Sequence, residues 1–224
     1  MFSVHRCRRS PFVASILLLL SALPPAVAQA EPTLSIAEAR TRPVGTSVTV
    51  EGTVSSPSGD FASSFSDEGF GLQDRSAGLY VSLKDNLKLA PPARVRVTGM
   101  IEDHSGLLVI VPADPAGVEH RGTGPAVVPR AVKTAAIGEA TEGRIVRVTG
   151  KLTQAPESDG AYGFKFWVND GSGAALIFVN TQTGIAMDRL PAVGARVSVT
   201  GFSSQYDTHY EIDPRSLADI AIGK

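Results

Sequence analysis

The stretch Phe164–Val179, FKFWVNDGSGAALIFV, decides how the rest of the chain is read. Phe, Trp, Val and Ile suit a pleated, half-buried backbone. Two runs of them flank Asn169–Gly173, whose residues tolerate the positive φ of a tight turn, so the stretch predicts a β-hairpin. The same pattern stands earlier at Phe70–Ser82, FGLQDRSAGLYVS.

The repetition extends in both directions. GRIVRVTGKL at Gly143–Leu152 matches GTSVTVEGTV at Gly45–Val54, displaced by 98 positions, and Asp170 matches Asp74, displaced by 96. RVSVTG at Arg196–Gly201 matches RVRVTG at Arg94–Gly99, displaced by 102. The displacement changes where loops are expected, so the chain holds one unit twice. Within each unit the alternation of Val with polar residues predicts strands at Val48–Val54, Arg94–Ile101 and Leu107–Val111 in the first copy and at their equivalents in the second. Ser35-Ile-Ala-Glu38 has the spacing of a capping box and predicts a short helix over Ile36–Arg40.

Five strands per unit, ordered long strand, hairpin, connection, hairpin, predict a closed five-stranded Greek-key barrel, the OB-fold. A β-sandwich would need about seven strands per domain. The expected fold is therefore all-β: two tandem OB-fold barrels, each with a short helix. Gly99 and Gly201 are expected where a long strand bends to close its barrel. The boundaries are residues 32–120 for the first barrel, 121–134 for an ordered linker and 135–224 for the second barrel.

Residues 1–30 read as a secretory signal peptide. Arg6, Arg8 and Arg9 form a basic start, Phe12–Leu23 is apolar but too short to span a bilayer, and Ala26-Val27-Ala28 and Ala28-Gln29-Ala30 are small-x-small cleavage sites. The expected location is the periplasm or the exterior, with no membrane span once the signal is cleaved. Three of the 21 Lys and Arg residues and none of the 22 acids lie in that segment, which leaves 18 against 22 and a net charge of −4. The one cysteine, Cys7, leaves with the signal, so no disulfide holds the mature chain. A net acidic protein is not an obvious polyanion binder.

A strand ending in V-x-G, then F-x-L/V-x-D at a turn, then R-V-x-V-T-G, resembles the tandem OB-fold domains of secreted bacterial proteins, some of which accompany extracellular nucleases. The resemblance implies a binding module and carries over no activity.

On an OB-fold the ligand lies across strands 2 and 3, between the loops joining strands 1–2 and 4–5. In the second copy alternation turns Phe164, Phe166 and Val168 inward, and Lys165, Trp167 and Asn169 outward. Ala175, Ile177 and Val179 follow as core, with Leu176 and Phe178 outside, and strand 1 adds Arg147, Thr149 and Lys151. Tyr206 and Tyr210 are placed in or beside the strand 4–5 loop. Cations that track phosphates beside aromatics that stack on bases suit single-stranded DNA or RNA. The first copy offers Tyr80 as its stacking candidate, with Phe61 and Phe65 in the preceding loop, but Glu51, Asp60, Asp67 and Glu68 oppose phosphate. The expected nucleic-acid-binding residues are Arg147, Lys151, Lys165, Trp167, Phe178, Tyr206, Tyr210 and Tyr80. The bland alternative covers Trp167 and Phe178 with the other barrel or the linker, or with an envelope protein partner.

No catalytic motif stands out. Gly171-Ser172-Gly173 lacks the strand-to-helix context of a nucleophile elbow. Asp103-His104 and Asp207-Thr-His209 offer two ligands per loop where zinc takes three or four. The chain is expected to be a non-enzyme without metal or cofactor.

Overall fold

The computed structural model describes residues 1–2, 32–63 and 66–223. Residues 3–30 of the segment expected to be a signal peptide, and Phe65, therefore lie outside the described residues. The described residues from 32 onward form one compact unit.

The first barrel is built from β1 (Thr33–Leu34), α1 (Ile36–Arg40), β2 (Ser47–Val54), β3 (Phe70–Gln73), β4 (Gly78–Val81), β5 (Ala93–His104), β6 (Leu107–Val111) and β7 (Val118–Thr123). Strand β2 pairs with β3, β3 with β4, β4 in parallel with β6, β6 with β5, and β5 back with β2, so five strands close on themselves. The second barrel repeats this with β8 (Arg130–Ala131), β9 (Ile145–Leu152), β10 (Glu157–Ser158), β11 (Gly163–Asn169), β12 (Ala174–Asn180), β13 (Arg196–Tyr206), β14 (His209–Asp213) and β15 (Ile220–Ile222). Its closed circuit is β9–β11–β12–β14–β13–β9, again with one parallel pair, β12–β14. This is the OB-fold ring, twice, and parallel closure between third and fifth strands is what a sandwich of hairpins would lack. Two strands beyond the five, β7 and β15, each add to the far edge of the long fourth strand.

Each ring encloses its own apolar core. Val50, Leu72, Leu79, Val97 and Ile110 are among the buried residues of the first, and Val148, Phe166, Val168, Ile177 and Val199 among those of the second. Gly99 and Gly201 occupy the bends of β5 and β13. A side chain there would stand 2.6 Å from the Val111 carbonyl oxygen and 2.5 Å from that of Asp213, so only glycine allows the fifth strand so close.

Helix α1 has the capping box predicted for it: the Ser35 hydroxyl accepts from the Glu38 N–H, and the Glu38 carboxylate accepts from the Ser35 N–H. The second barrel has a single 3-10 turn, Thr134–Ala136, at the equivalent place. The physical reason is local: Lys133 and Ala136 stand where Ser35 and Glu38 stand in the first copy, so no box forms.

The repeated D-x-S turns have a role beyond reversing the chain. Asp74 accepts from the backbone N–H of Ile36 at 2.9 Å, and Ser76 Oγ accepts from Ala37 N at 3.0 Å. Asp170 accepts from Thr134 Oγ1 at 2.7 Å, and Ser172 Oγ accepts from Ala135 N at 3.2 Å. Each hairpin turn thus caps the helical segment that precedes its own barrel. These bonds hold both carboxyls below the usual range; Asp170 responds first to Ser172 and then to Thr134, while at Asp74 burial opposes the hydrogen bonds and they outweigh it.

The barrels meet across a mixed apolar and polar junction. Phe61, Tyr80, Leu107 and Val109 of the first pack with Ile145 and Phe202 of the second. Arg40 Nη2 reaches Glu139 at 2.7 Å and the fully buried Glu142 carboxylate at 3.0 Å. Arg215 Nη1 donates to the Ser55 carbonyl at 3.0 Å. The segment expected as a linker is taken up at both ends, Arg121–Thr123 in β7 and Arg130–Ala131 in β8.

Half-buried Asp60 lies on the same seam. Burial raises its carboxyl to about 6, with the Arg215 charge opposing and Asp219 adding to the shift. A folded value above the unfolded one means that Asp60 costs nothing below about pH 4 and destabilises progressively as pH rises to about 6. Asp60→Asn should therefore stabilise by about 1 kcal/mol at pH 8, after allowance for solvent screening, and have no effect at pH 3.5. Urea unfolding of both proteins at the two pH values measures this, and equal gains at both would contradict it.

Candidate nucleic-acid interface

The alternation read from the sequence sets the outer face of the second barrel. Phe164, Phe166 and Val168 are buried, while Lys165, Trp167 and Asn169 between them are half-exposed; on β12, Ala175, Ile177 and Val179 are buried and Leu176 and Phe178 half-exposed. Lys165 stands directly opposite Phe178, and Trp167 opposite Leu176. Trp167 and Phe178 stand outside the apolar cluster of the junction. Next to them, Lys151 at the end of β9 pairs with Asn169, and Thr153 N donates to the Trp167 carbonyl at 3.0 Å. Lys151, Lys165, Trp167 and Phe178 therefore share one surface.

Other expected residues fall elsewhere. Arg147 is exposed, but it lies four residues up β9 from Lys151, about 13 Å along the strand, and its guanidinium donates to Thr200 Oγ1 at 3.0 Å. Tyr206 is half exposed at the tip of the β13–β14 hairpin, its ring edge-on to His209 at 5.8 Å. His209 bonds Glu211, which holds its imidazole above the usual histidine value against the opposing effects of burial and the Lys165 charge.

One expectation needs correction. Tyr80 does face outward from its barrel, but it is covered there by the loop residues Phe61 and Asp67 of the first barrel and by Phe202 of the second. It has no exposed surface, its ring contacts Phe61 and Phe202, and its hydroxyl donates to Asp67 at 2.8 Å. Burial and the Asp67 charge push its hydroxyl well above the normal value, and it cannot stack on a base. Tyr210 lies beside the loop, as expected, but does not face solvent freely. The hairpin turns through Asp207 and Thr208 alone, so Tyr210 is already in β14, on the same side as core residue Ile212, and its hydroxyl bonds Glu139 at 3.2 Å.

The acids near the face moderate it. Asp159, in the loop between β10 and β11, sits 3.5 Å from the Lys165 ammonium. Glu211 is buried beside Leu176 across the β12–β14 pair. Deeper in the junction Asp213 is buried with one carboxylate oxygen unpartnered; burial first and the Glu211 charge second push its carboxyl well above the normal range.

Arg196 is the residue that sequence reasoning missed. It stands directly opposite Lys151 on the β9–β13 pair. Together with Thr149, Gly150, Thr153, Asn169, Asp170 and Gly171 the two line an open groove of about 480 Å³. Neither cation makes an ion pair among the described residues. The equivalent place in the first barrel is neutralised: Arg94 pairs with Glu51 at 2.5 Å, and Thr53 stands where Lys151 would. The signal available in the sequence was the register, since RVSVTG and IVRVTGKL must be aligned before the two charges are seen to face one another.

The arrangement closest to a catalytic one is Ser63 Oγ at 3.0 Å from His104 Nδ1, with His104 Nε2 at 3.3 Å from Glu102. Ser63 and His104 are both buried, and the Ser63 hydroxyl bonds the Asp67 carboxylate at 2.7 Å. Among the described residues no group of three or more His, Cys, Asp or Glu converges to hold a metal ion, and no helix is long and apolar enough to cross a membrane.

No family model matches the sequence, and none of the curated proteins does. Similar solved structures include a murine DNA-binding protein bound to double-stranded DNA, at 13% identity over 74% of this chain and 90% of that one, with a TM-score of 0.40. The tetrameric p202 HIN2 domain is similar at 13% identity, covering 80% of this chain and 93% of that one, TM-score 0.36. The Ifi202 HINa domain in complex with a 20-base-pair duplex is similar at 11% identity, covering 80% and 96%, TM-score 0.34. The two barrels are defined by their own strand pairing, independently of these likenesses.

Proposed function

We propose that this is an exported binding protein whose second barrel holds single-stranded nucleic acid on the outer face of β9, β11 and β12. The observation that carries the reading is the pair Lys151 and Arg196, neither in an ion pair among the described residues, on the same face as half-exposed Trp167. Cations beside a flat aromatic suit a strand whose phosphates are neutralised and whose unpaired bases stack. A duplex keeps its bases stacked on one another, so the aromatics favour a single strand. The first barrel supports the second, because its own equivalent face is spent in the junction. The basic, then apolar, residues 1–30 support export to the periplasm or beyond.

Asp159 beside Lys165 and the acidic balance of the mature chain make binding weak at physiological salt. If Lys151, Lys165 and Arg196 each neutralise one phosphate, the logarithm of affinity should fall against that of salt with a slope of about −2. Fluorescence anisotropy of a labelled oligothymidine between 20 and 200 mM salt measures it. One observation favours a second reading. Trp167, Leu176 and Phe178 form an apolar patch, and Lys165 already has its acid, which suits docking of an envelope protein. A slope near zero would favour that reading.

A further inference from the structure

The groove beside Trp167 contains a pairing that folding alone does not reward. Lys151 and Arg196 are cross-strand neighbours, and opposite residues on antiparallel strands hold their Cβ atoms about 5 Å apart. Like charges at such a position are destabilising. The duplicated architecture supplies an internal comparison, because the first barrel solves the same position differently. There Thr53 faces Arg94, and Glu51 takes up the arginine's charge. In the second barrel Thr149 replaces that acid, and its hydroxyl donates to Ser198 at 3.0 Å. The carboxylate that lines the groove, Asp170, is held by its own turn: it accepts from Thr134 Oγ1 at 2.7 Å and from Ser172 N and Oγ at 2.9 and 2.5 Å. The groove thus gathers two positive charges, neither of them in an ion pair among the described residues.

We infer that this groove is a phosphate subsite, and that it takes the doubly charged phosphate at an end of the bound strand. The inference rests on the proposed function for the identity of the strand, but the subsite itself rests on the groove. An internal phosphodiester carries one negative charge, which one cation balances. A terminal phosphate carries close to two above its second ionisation near pH 6, which matches Lys151 and Arg196 together. Arg196 supplies the planar fork and Lys151 the point charge. Asn169 lies two residues from Trp167 on β11, about 7 Å along the strand. That is within the reach of one nucleotide, so a terminal phosphate between the cations leaves its base or the next one over the indole.

The test compares one oligothymidine in three forms, unphosphorylated, 5′-phosphorylated and 3′-phosphorylated, binding to the full chain at constant salt and pH 7.5. One end-phosphorylated form should bind about tenfold more tightly than the unphosphorylated strand, as two charge-assisted contacts would give. The advantage should shrink at pH 5.5, where the terminal phosphate loses its second charge, and in Arg196→Gln the ratio should fall to about one. Circular dichroism and the thermal midpoint of that variant confirm that it folds. Equal affinity for all three strands in the unmodified protein overturns the end-phosphate inference and leaves the proposed function standing. A second arm uses inorganic phosphate alone, read by the amide resonances of Gly150 and Gly171. If no strand binds but phosphate still shifts those amides, and Lys151→Gln with Arg196→Gln removes the shift, the subsite stands and the nucleic-acid reading falls. Amides unmoved by about 50 mM phosphate, a concentration far above that needed by a paired-cation site, overturn the subsite.

Discussion

Replacing Phe202 with alanine should destabilise the folded chain by about 3–5 kcal/mol, the usual range for removing a buried aromatic. Phe202 has no exposed surface, and its ring centroid lies 5.1 Å from that of Phe61 and 6.1 Å from that of Tyr80. It also lies against Gly71, where a side chain would meet its ring at 3.1 Å. It is part of the second barrel but packs outward, so its loss empties the junction and spares both barrel cores. Urea unfolding checks the figure. Tyr206→Ala, at a half-exposed ring two turns of the alternation away on β13, is the matched comparison and should cost under about 1 kcal/mol. A loss below about 1 kcal/mol in Phe202→Ala would show that the barrels do not depend on their contact.

The largest functional effect is expected at Trp167. Stacking of a base on an aromatic is worth about 1–3 kcal/mol, so Trp167→Ala should weaken oligonucleotide binding by roughly 5- to 150-fold. Trp167 is half-exposed and outside both barrel cores, so its loss should leave the unfolding midpoint nearly unchanged. Arg121→Ala is the control, because Arg121 is an exposed cation on β7 of the first barrel, 2.6 Å from Glu119. Anisotropy titrations of the two variants should separate widely. Equal losses would indicate a diffuse charge effect and remove Trp167 from the interface.

The architecture was legible because it is written in short-range terms. Period-two alternation places Phe164, Phe166 and Val168 inside and Trp167 outside without any knowledge of the neighbours. The capping box marks α1 to the residue. The repeat displacements mark equivalent strands. What the residues could not disclose locally is which outer face another barrel covers. Tyr80 and Trp167 read alike, each an aromatic on an outward face, yet one is buried against Phe61 and Phe202 and the other is half-open. A signal did exist in β6, LLVIV, which is apolar at every position, the pattern of a strand covered on both sides. Arg196 was hidden for a related reason: its importance lies in a cross-strand partner 45 residues away in sequence, which only the closed ring brings opposite.

Trp167 is the only tryptophan in the chain, so its fluorescence reports directly on the face in question. The decisive measurement is a titration of that fluorescence with an unlabelled single-stranded oligonucleotide, first at low salt and then at physiological salt. Quenching should saturate at low salt and fade as salt is raised. Unchanged fluorescence at low salt, in a sample whose circular dichroism shows the folded barrels, would contradict binding at this face.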